Sequence, residues 1–165
     1  MIRRMLTQLI GCPRMRPSRV LDVILAATVS LPLPIAVLWA GDPIYVGLWY
    51  YFIVPAIALG LAATFQTKPL FLLGSSLGIT ATLLAYMSVN WSAARPEGLL
   101  VLGHLFSLPG AAIGIALAAS LANRSQRTVT VLLLGFFGLL SGFLINQFVV
   151  CNTLMWCGPL SMHTR

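Results

Sequence analysis

Residues 128–150 read TVTVLLLGFFGLLSGFLINQFVV, a stretch without a single charged side chain. A helix lying on a soluble core would need a polar face here, and a half-buried strand would need alternation; neither pattern is present. The run instead matches the roughly 20 residues that an α-helix needs to cross ~30 Å of hydrocarbon. Comparable runs occupy 20–40, 44–65, 69–91 and 98–122, and only the first carries a charge, Asp22, at its edge.

Composition agrees with this reading. With 59% hydrophobic and 8% charged residues and a mean hydropathy of +0.94, the chain has too little polar surface to solvate a globule of 165 residues. Short connections between the runs leave no room for a soluble domain. In lipid every backbone polar group must pair internally, and runs this long and uniform do not suit barrel strands. The expected fold is an all-α integral membrane protein, a compact bundle of five transmembrane helices, with four the alternative and the Pro32/Pro34 break the place where the count would change. Residues 1–19 form a basic arm, 20–150 the membrane domain and 151–165 a short tail.

A net charge of +7 and a pI near 10.2 would suggest nucleic acid in a soluble protein. Here the charge follows the zigzag of the runs. Arg3, Arg4, Arg14, Arg16, Arg19, Lys68, Arg124 and Arg127 share one side if the helices alternate, against Arg95 and Arg165 on the other. The positive-inside rule then puts the N-terminus in the cytoplasm and, after five spans, the C-terminus outside. The basic excess is a topology signal first and an anionic-lipid contact second; nucleic acid is not expected as a partner. Trp39, Tyr45, Trp49, Tyr50, Tyr51, Tyr86, Trp91 and Trp156 fall in the outer half under the same topology, where amphipathic rings favour the headgroup boundary.

Two local features mimic processing signals. Leu9-Ile10-Gly11-Cys12 resembles a bacterial lipoprotein signal box, but the apolar stretch before it is too short for a signal-peptide core, so Cys12 reads as a free cytoplasmic thiol. The first run is too long for such a core and has bulky Leu38 where a small residue is wanted, so it should remain attached. Its Leu31-Pro32-Leu33-Pro34 segment should bend or open the helix, as should Pro55 and Pro109 in later runs.

Small residues recur at helical spacing. Gly74 and Gly78, Gly110 and Gly114, and Gly138 and Gly142 each form a small-xxx-small pair in the third, fourth and fifth runs. Such stripes let backbones approach closely in lipid. Packing within one chain is the plainer expectation and homo-oligomerisation the alternative. No long repeat or inverted half-repeat of the kind that builds transporters is evident.

Polar residues within the runs gather by depth. His104, Asn90, Asn146, Gln147, Tyr50 and Tyr51 all fall in the outer half. An intramembrane ionisable group is a functional candidate because burying it unpaired is costly, whereas a lone histidine also serves as a neutral bridge between helices. No carboxylate lies deep in any run, which leaves little for acid–base catalysis or proton pumping. Cys151 and Cys157, separated by five residues beyond the last run, are expected to form a disulfide that shapes the outer tail. Cys151, Cys157 and His163 lie close together, yet lack an obvious fourth metal ligand. Neither cofactor nor metal is expected, and the motifs of common enzyme classes are absent.

These features point to a non-catalytic multi-pass protein of a bacterial inner membrane that binds a membrane or periplasmic protein. It would serve as an accessory subunit of a membrane complex or as an immunity protein against a membrane-targeting toxin. In general look the chain is similar to small polytopic immunity proteins of bacterial toxin systems, though no motif carries the likeness. The competing reading is a small oligomeric transporter or channel with a polar outer vestibule around His104.

Overall fold

Pro32 and Pro34 decide how the first run folds. Proline has no amide hydrogen, so the carbonyls of Thr28 and Ser30, four residues earlier, lose their helical donors. The structure is a computed structural model that describes residues 17–65, 67–92 and 100–153. In it the run divides at Leu31 into α1 (Pro17–Ser30) and α2 (Pro32–Ala40). Leu31 keeps helical angles of φ −62° and ψ −34°, and its amide still reaches the Ala27 carbonyl at 2.9 Å. The break is therefore a joint in one path, and Arg19–Ala40 forms a single apolar stretch of 22 residues. Arg3, Arg4, Cys12, Arg14, Arg16, Arg95, Trp156, Cys157, His163 and Arg165 lie outside the described residues.

The remaining helices are α3 (Leu48–Thr64), α4 (Phe71–Ser92), α5 (Leu100–Arg124) and α6 (Thr128–Thr153), and no strand occurs among the described residues. Arg19–Ala40, Phe71–Ser92, Val101–Arg124 and Thr128–Thr153 are long and apolar enough to cross a membrane. Helix α3 has 17 residues, and at 1.5 Å per residue it extends about 25 Å, short of a typical hydrocarbon core.

The run expected to be helical from residue 44 begins instead as a loop. Asp42 accepts the amides of Ile44 at 3.1 Å and Gly47 at 2.5 Å, while Gly41, Tyr45 and Gly47 take positive φ angles of 86°, 56° and 82°. A carboxylate that captures nearby amides offers the backbone an alternative to a first helical turn. At the far end of α3, Arg19 donates to the Thr67 carbonyl at 3.2 Å. Asn90, near the end of α4, donates to the Pro43 carbonyl before α3. Helix α3 thus runs from one end of the bundle to the other despite its length.

Helix α4 lies at the centre and packs against α1, α3, α5 and α6. Its side chains Phe71, Ile79, Leu83 and Met87 are completely buried, with Ile115 of α5 and Leu139 of α6 in the same core. The glycines permit backbone contact around α6. Gly114 faces the Gly138 carbonyl and Gly142 the Gly110 carbonyl, so one face of α6 closes on α5. Gly74 faces the Leu132 carbonyl, and a Cβ on Gly135 would lie 2.6 Å from the Phe71 carbonyl, so a second face closes on α4. Leu38, Ile57, Leu117, Phe137 and Ile145 point outward, an apolar surface suited to lipid.

Candidate functional site

Histidine at position 104 has no exposed surface. It lies one turn into α5 and meets α3 and α4 through its ring nitrogens. Nδ1 is 2.8 Å from the Tyr50 hydroxyl, and Nε2 is 3.2 Å from Thr82 Oγ1. The proton positions follow from hydrogen-bond accounting. Thr82 donates its one hydroxyl hydrogen to the Ile79 carbonyl at 2.8 Å, so toward the imidazole it acts as an acceptor. Nε2–H therefore donates to Thr82, Nδ1 accepts from Tyr50, and the imidazole is held as one neutral tautomer.

Aromatic rings complete the enclosure. Tyr86 meets the imidazole edge-on at 4.9 Å, Phe143 lies tilted at 5.0 Å, and Tyr50 stands at 5.8 Å. Four helices contribute: α3 through Tyr50, α4 through Thr82 and Tyr86, α5 through His104, and α6 through Phe143. Edge-to-face contacts suit the quadrupoles of these rings and add to area burial. Position in sequence explains the assembly. The start of α3, the later part of α4, the start of α5 and the later part of α6 reach the same level when consecutive helices run in opposite directions.

Tyr51 leads elsewhere. Its hydroxyl donates to Asp42 Oδ1 at 2.7 Å, so the same carboxylate organises the 41–47 loop and ties it to α3. The Tyr51 ring stands edge-on to Tyr50 at 6.3 Å and joins the two groups by packing. Asn146 donates to the Phe106 carbonyl at 2.5 Å and lies against Gly110, serving the α5–α6 contact rather than the histidine. Gln147 and Cys151 are buried on α6. Cys157, the expected partner of Cys151, lies outside the described residues.

The aromatic residues grouped together in the sequence divide in two. Tyr50, Tyr51 and Tyr86 are buried, while Trp39, Tyr45, Trp49 and Trp91 are exposed at the same end of the bundle. Trp39, at 89% exposed, is the extreme. The first set forms internal ties, and the second forms a rim available to headgroups or another protein.

Sequence reasoning missed Thr82 and Asp42, and it set Asp22 aside as an edge charge. Asp22 is 2% exposed, and its carboxylate accepts the amides of Leu72 at 3.3 Å and Leu73 at 3.0 Å. A residue on α1 thereby caps the start of α4, where free amides and the helix dipole favour an anion. Nearby, Ser76 donates to the Ala26 carbonyl at 2.7 Å and its oxygen meets Ser30 Oγ at 2.9 Å. The signal for Asp22 was available: it is the lone charge inside a run, a position that demands a partner. Thr82 gave none, because a threonine can satisfy itself on its own helix.

Chemically the His104 group is a closed relay. Hydroxyl, imidazole and hydroxyl follow one another, and the chain ends on the Ile79 backbone carbonyl, which cannot take up a proton in turn. Comparison with protein-family models, curated proteins and solved structures gave no match.

Proposed function

We propose that the protein is a non-catalytic, multi-pass protein of a bacterial inner membrane that acts by binding another membrane or periplasmic protein. It would have five spans, with the N-terminus inside and the C-terminus outside. The observation carrying this reading is that both nitrogens of His104 are satisfied within the bundle and the ring has no exposed surface. A vestibule or catalytic centre needs a polar group facing its substrate, whereas this one is spent on joining helices.

What remains available at that end is the rim of Trp39, Tyr45, Trp49 and Trp91. Aromatic side chains with polar tips are favoured anchors in protein recognition as well as at headgroups. Tyr45 adds support because it is held at a φ of 56°, an uncommon conformation outside glycine, by a loop fixed through Asp42. The five-span topology draws support from α3 joining opposite ends. The proposed orientation is supported by the gathering of Arg19, Lys68, Arg124 and Arg127 opposite the rim. An accessory subunit and an immunity protein share this architecture.

Purifying the intact protein from its native membrane in mild detergent, followed by mass spectrometry, tests the proposal. A stoichiometric protein partner, lost on replacing Trp39 and Tyr45 by alanine, is expected. A homo-oligomer that carries solute flux in liposomes would overturn it in favour of a transporter.

A further inference from the structure

Every cation among the described residues, Arg19, Lys68, Arg124 and Arg127, lies at the end of the bundle opposite the aromatic rim. Two of them are fixed by backbone carbonyls: Arg19 Nη2 donates to Thr67 O at 3.2 Å, and Lys68 Nζ donates to Ser125 O. Thr67 and Lys68 are consecutive, and Ser125 lies between Arg124 and Arg127. These bonds draw all four cations around the connection from α3 to α4. The described acids are Asp22 and Asp42. Asp42 is at the opposite end, and the buried Asp22 carboxylate accepts the Leu72 and Leu73 amides and faces Arg19 alone of the four cations, so Lys68, Arg124 and Arg127 have no described acid beside them.

Unused hydrogen-bond capacity accompanies this charge. A guanidinium has five N–H donors and an ammonium three, while Arg19 and Lys68 each have one described acceptor. Between their contacts lies Thr67, 5% exposed, whose hydroxyl is buried and has no hydrogen-bond partner among the described residues. Leu121 and Val129 flank the Arg124–Arg127 turn with exposed apolar side chains. A concentrated positive site with spare donors beside an apolar surface fits an amphiphile with an anionic head.

We propose that this end binds the phosphate of an anionic glycerophospholipid, held by Arg19, Lys68, Arg124 and Arg127, with its acyl chains against Leu121 and Val129. Arginine forks match phosphate oxygens in bidentate geometry, and lysine adds a point charge. Membrane embedding is the only premise shared with the function proposed above, so the site stands whether or not a protein partner is found.

The test uses the intact protein in phosphatidylcholine nanodiscs, with phosphatidylglycerol added stepwise and read by thermal unfolding and native mass spectrometry. Phosphatidylglycerol should raise the unfolding midpoint and remain bound, with an effect that shrinks as salt screens the charges. Arg124→Gln with Arg127→Gln should weaken binding about 25-fold, at about fivefold per basic residue near the lipid surface. Thr67→Val, at a hydroxyl buried within the protein, should leave lipid binding intact and the midpoint in phosphatidylcholine unchanged or higher, since it deletes an unpaired hydroxyl. An equal shift from added zwitterionic phosphatidylethanolamine, or an undiminished phosphatidylglycerol effect in the double arginine variant, overturns the site. An equal shift from inorganic phosphate overturns the lipid assignment.

Discussion

Replacing Tyr50 by phenylalanine removes one oxygen from the His104 cluster and leaves its ring packing in place. His104 Nδ1, now 2.8 Å from the hydroxyl that it accepts from, becomes an orphan acceptor on a fully buried ring. Such an orphan costs about 1–3 kcal/mol in soluble proteins. Side-chain hydrogen bonds between membrane helices average ~0.6 and reach ~1.7 kcal/mol, because the unfolded chain in lipid also finds partners. Full burial favours the upper part of that range, so Tyr50→Phe should cost about 1–2 kcal/mol. Tyr86→Phe is the control. Tyr86 meets His104 through its ring at 4.9 Å, which phenylalanine preserves, and its cost should stay within ~0.5 kcal/mol. Combining Tyr50→Phe with His104→Phe should cost less than the sum of the singles, with a coupling of about 1 kcal/mol. Equilibrium unfolding by dodecyl sulfate in mixed micelles measures all four variants. If Tyr50→Phe costs no more than Tyr86→Phe, or if the pair is additive, the tie is energetically empty and the assigned tautomer loses its basis.

The glycine contacts predict opposite outcomes at two sites. Gly114→Ala should destabilise by about 1–3 kcal/mol because its Cβ meets the Gly138 carbonyl, whereas Gly60→Ala, with open space around it, should be neutral or stabilising by up to ~1 kcal/mol in the same micelle assay. Cys151 and Cys157 should label with maleimide only after reduction, while Cys12 labels without it; full labelling of the pair without reductant refutes the disulfide. A reporter fused after Arg165 should be active only in the periplasm, and cytoplasmic activity would mean that one apolar run does not cross.

The helical runs were legible because lipid imposes a simple rule: length without charge reads as a helix, and four of the five runs are long and apolar enough to span. Residues 128–150 became the core of α6, and the Pro32/Pro34 pair marked the joint at Leu31. The second run was read one turn too early. Hydropathy counts Ile44 and Val46 as apolar but does not register that Asp42 captures the amides of Ile44 and Gly47. At the candidate site, depth alone put Tyr50 and His104 in one group, and their hydrogen bond appears there. Depth gave no rotation about each helix axis, so Tyr51 and Asn146 shared that group although they turn toward Asp42 and Phe106. For Asp22 the need of a partner was legible but its address was not, since its donors are backbone amides 50 and 51 positions away, and every residue type except proline carries an amide N–H.

The position of α6 against both α4 and α5 also sets an order for biogenesis. This helix is synthesised after α4 and α5, yet both glycine faces, Gly74 with Gly78 and Gly110 with Gly114, close upon it. At ribosomal rates of about 5–20 residues per second, the 26 residues of α6 take about 1–5 s to emerge. During that interval α4 and α5 stand in the bilayer with their closest-packing stripes uncovered. A chain truncated before Thr128 would keep them so permanently, presenting unmatched helices to quality-control proteases. Helix α6 is therefore the clasp of the nascent bundle, the element whose arrival covers the stripes that α4 and α5 leave open.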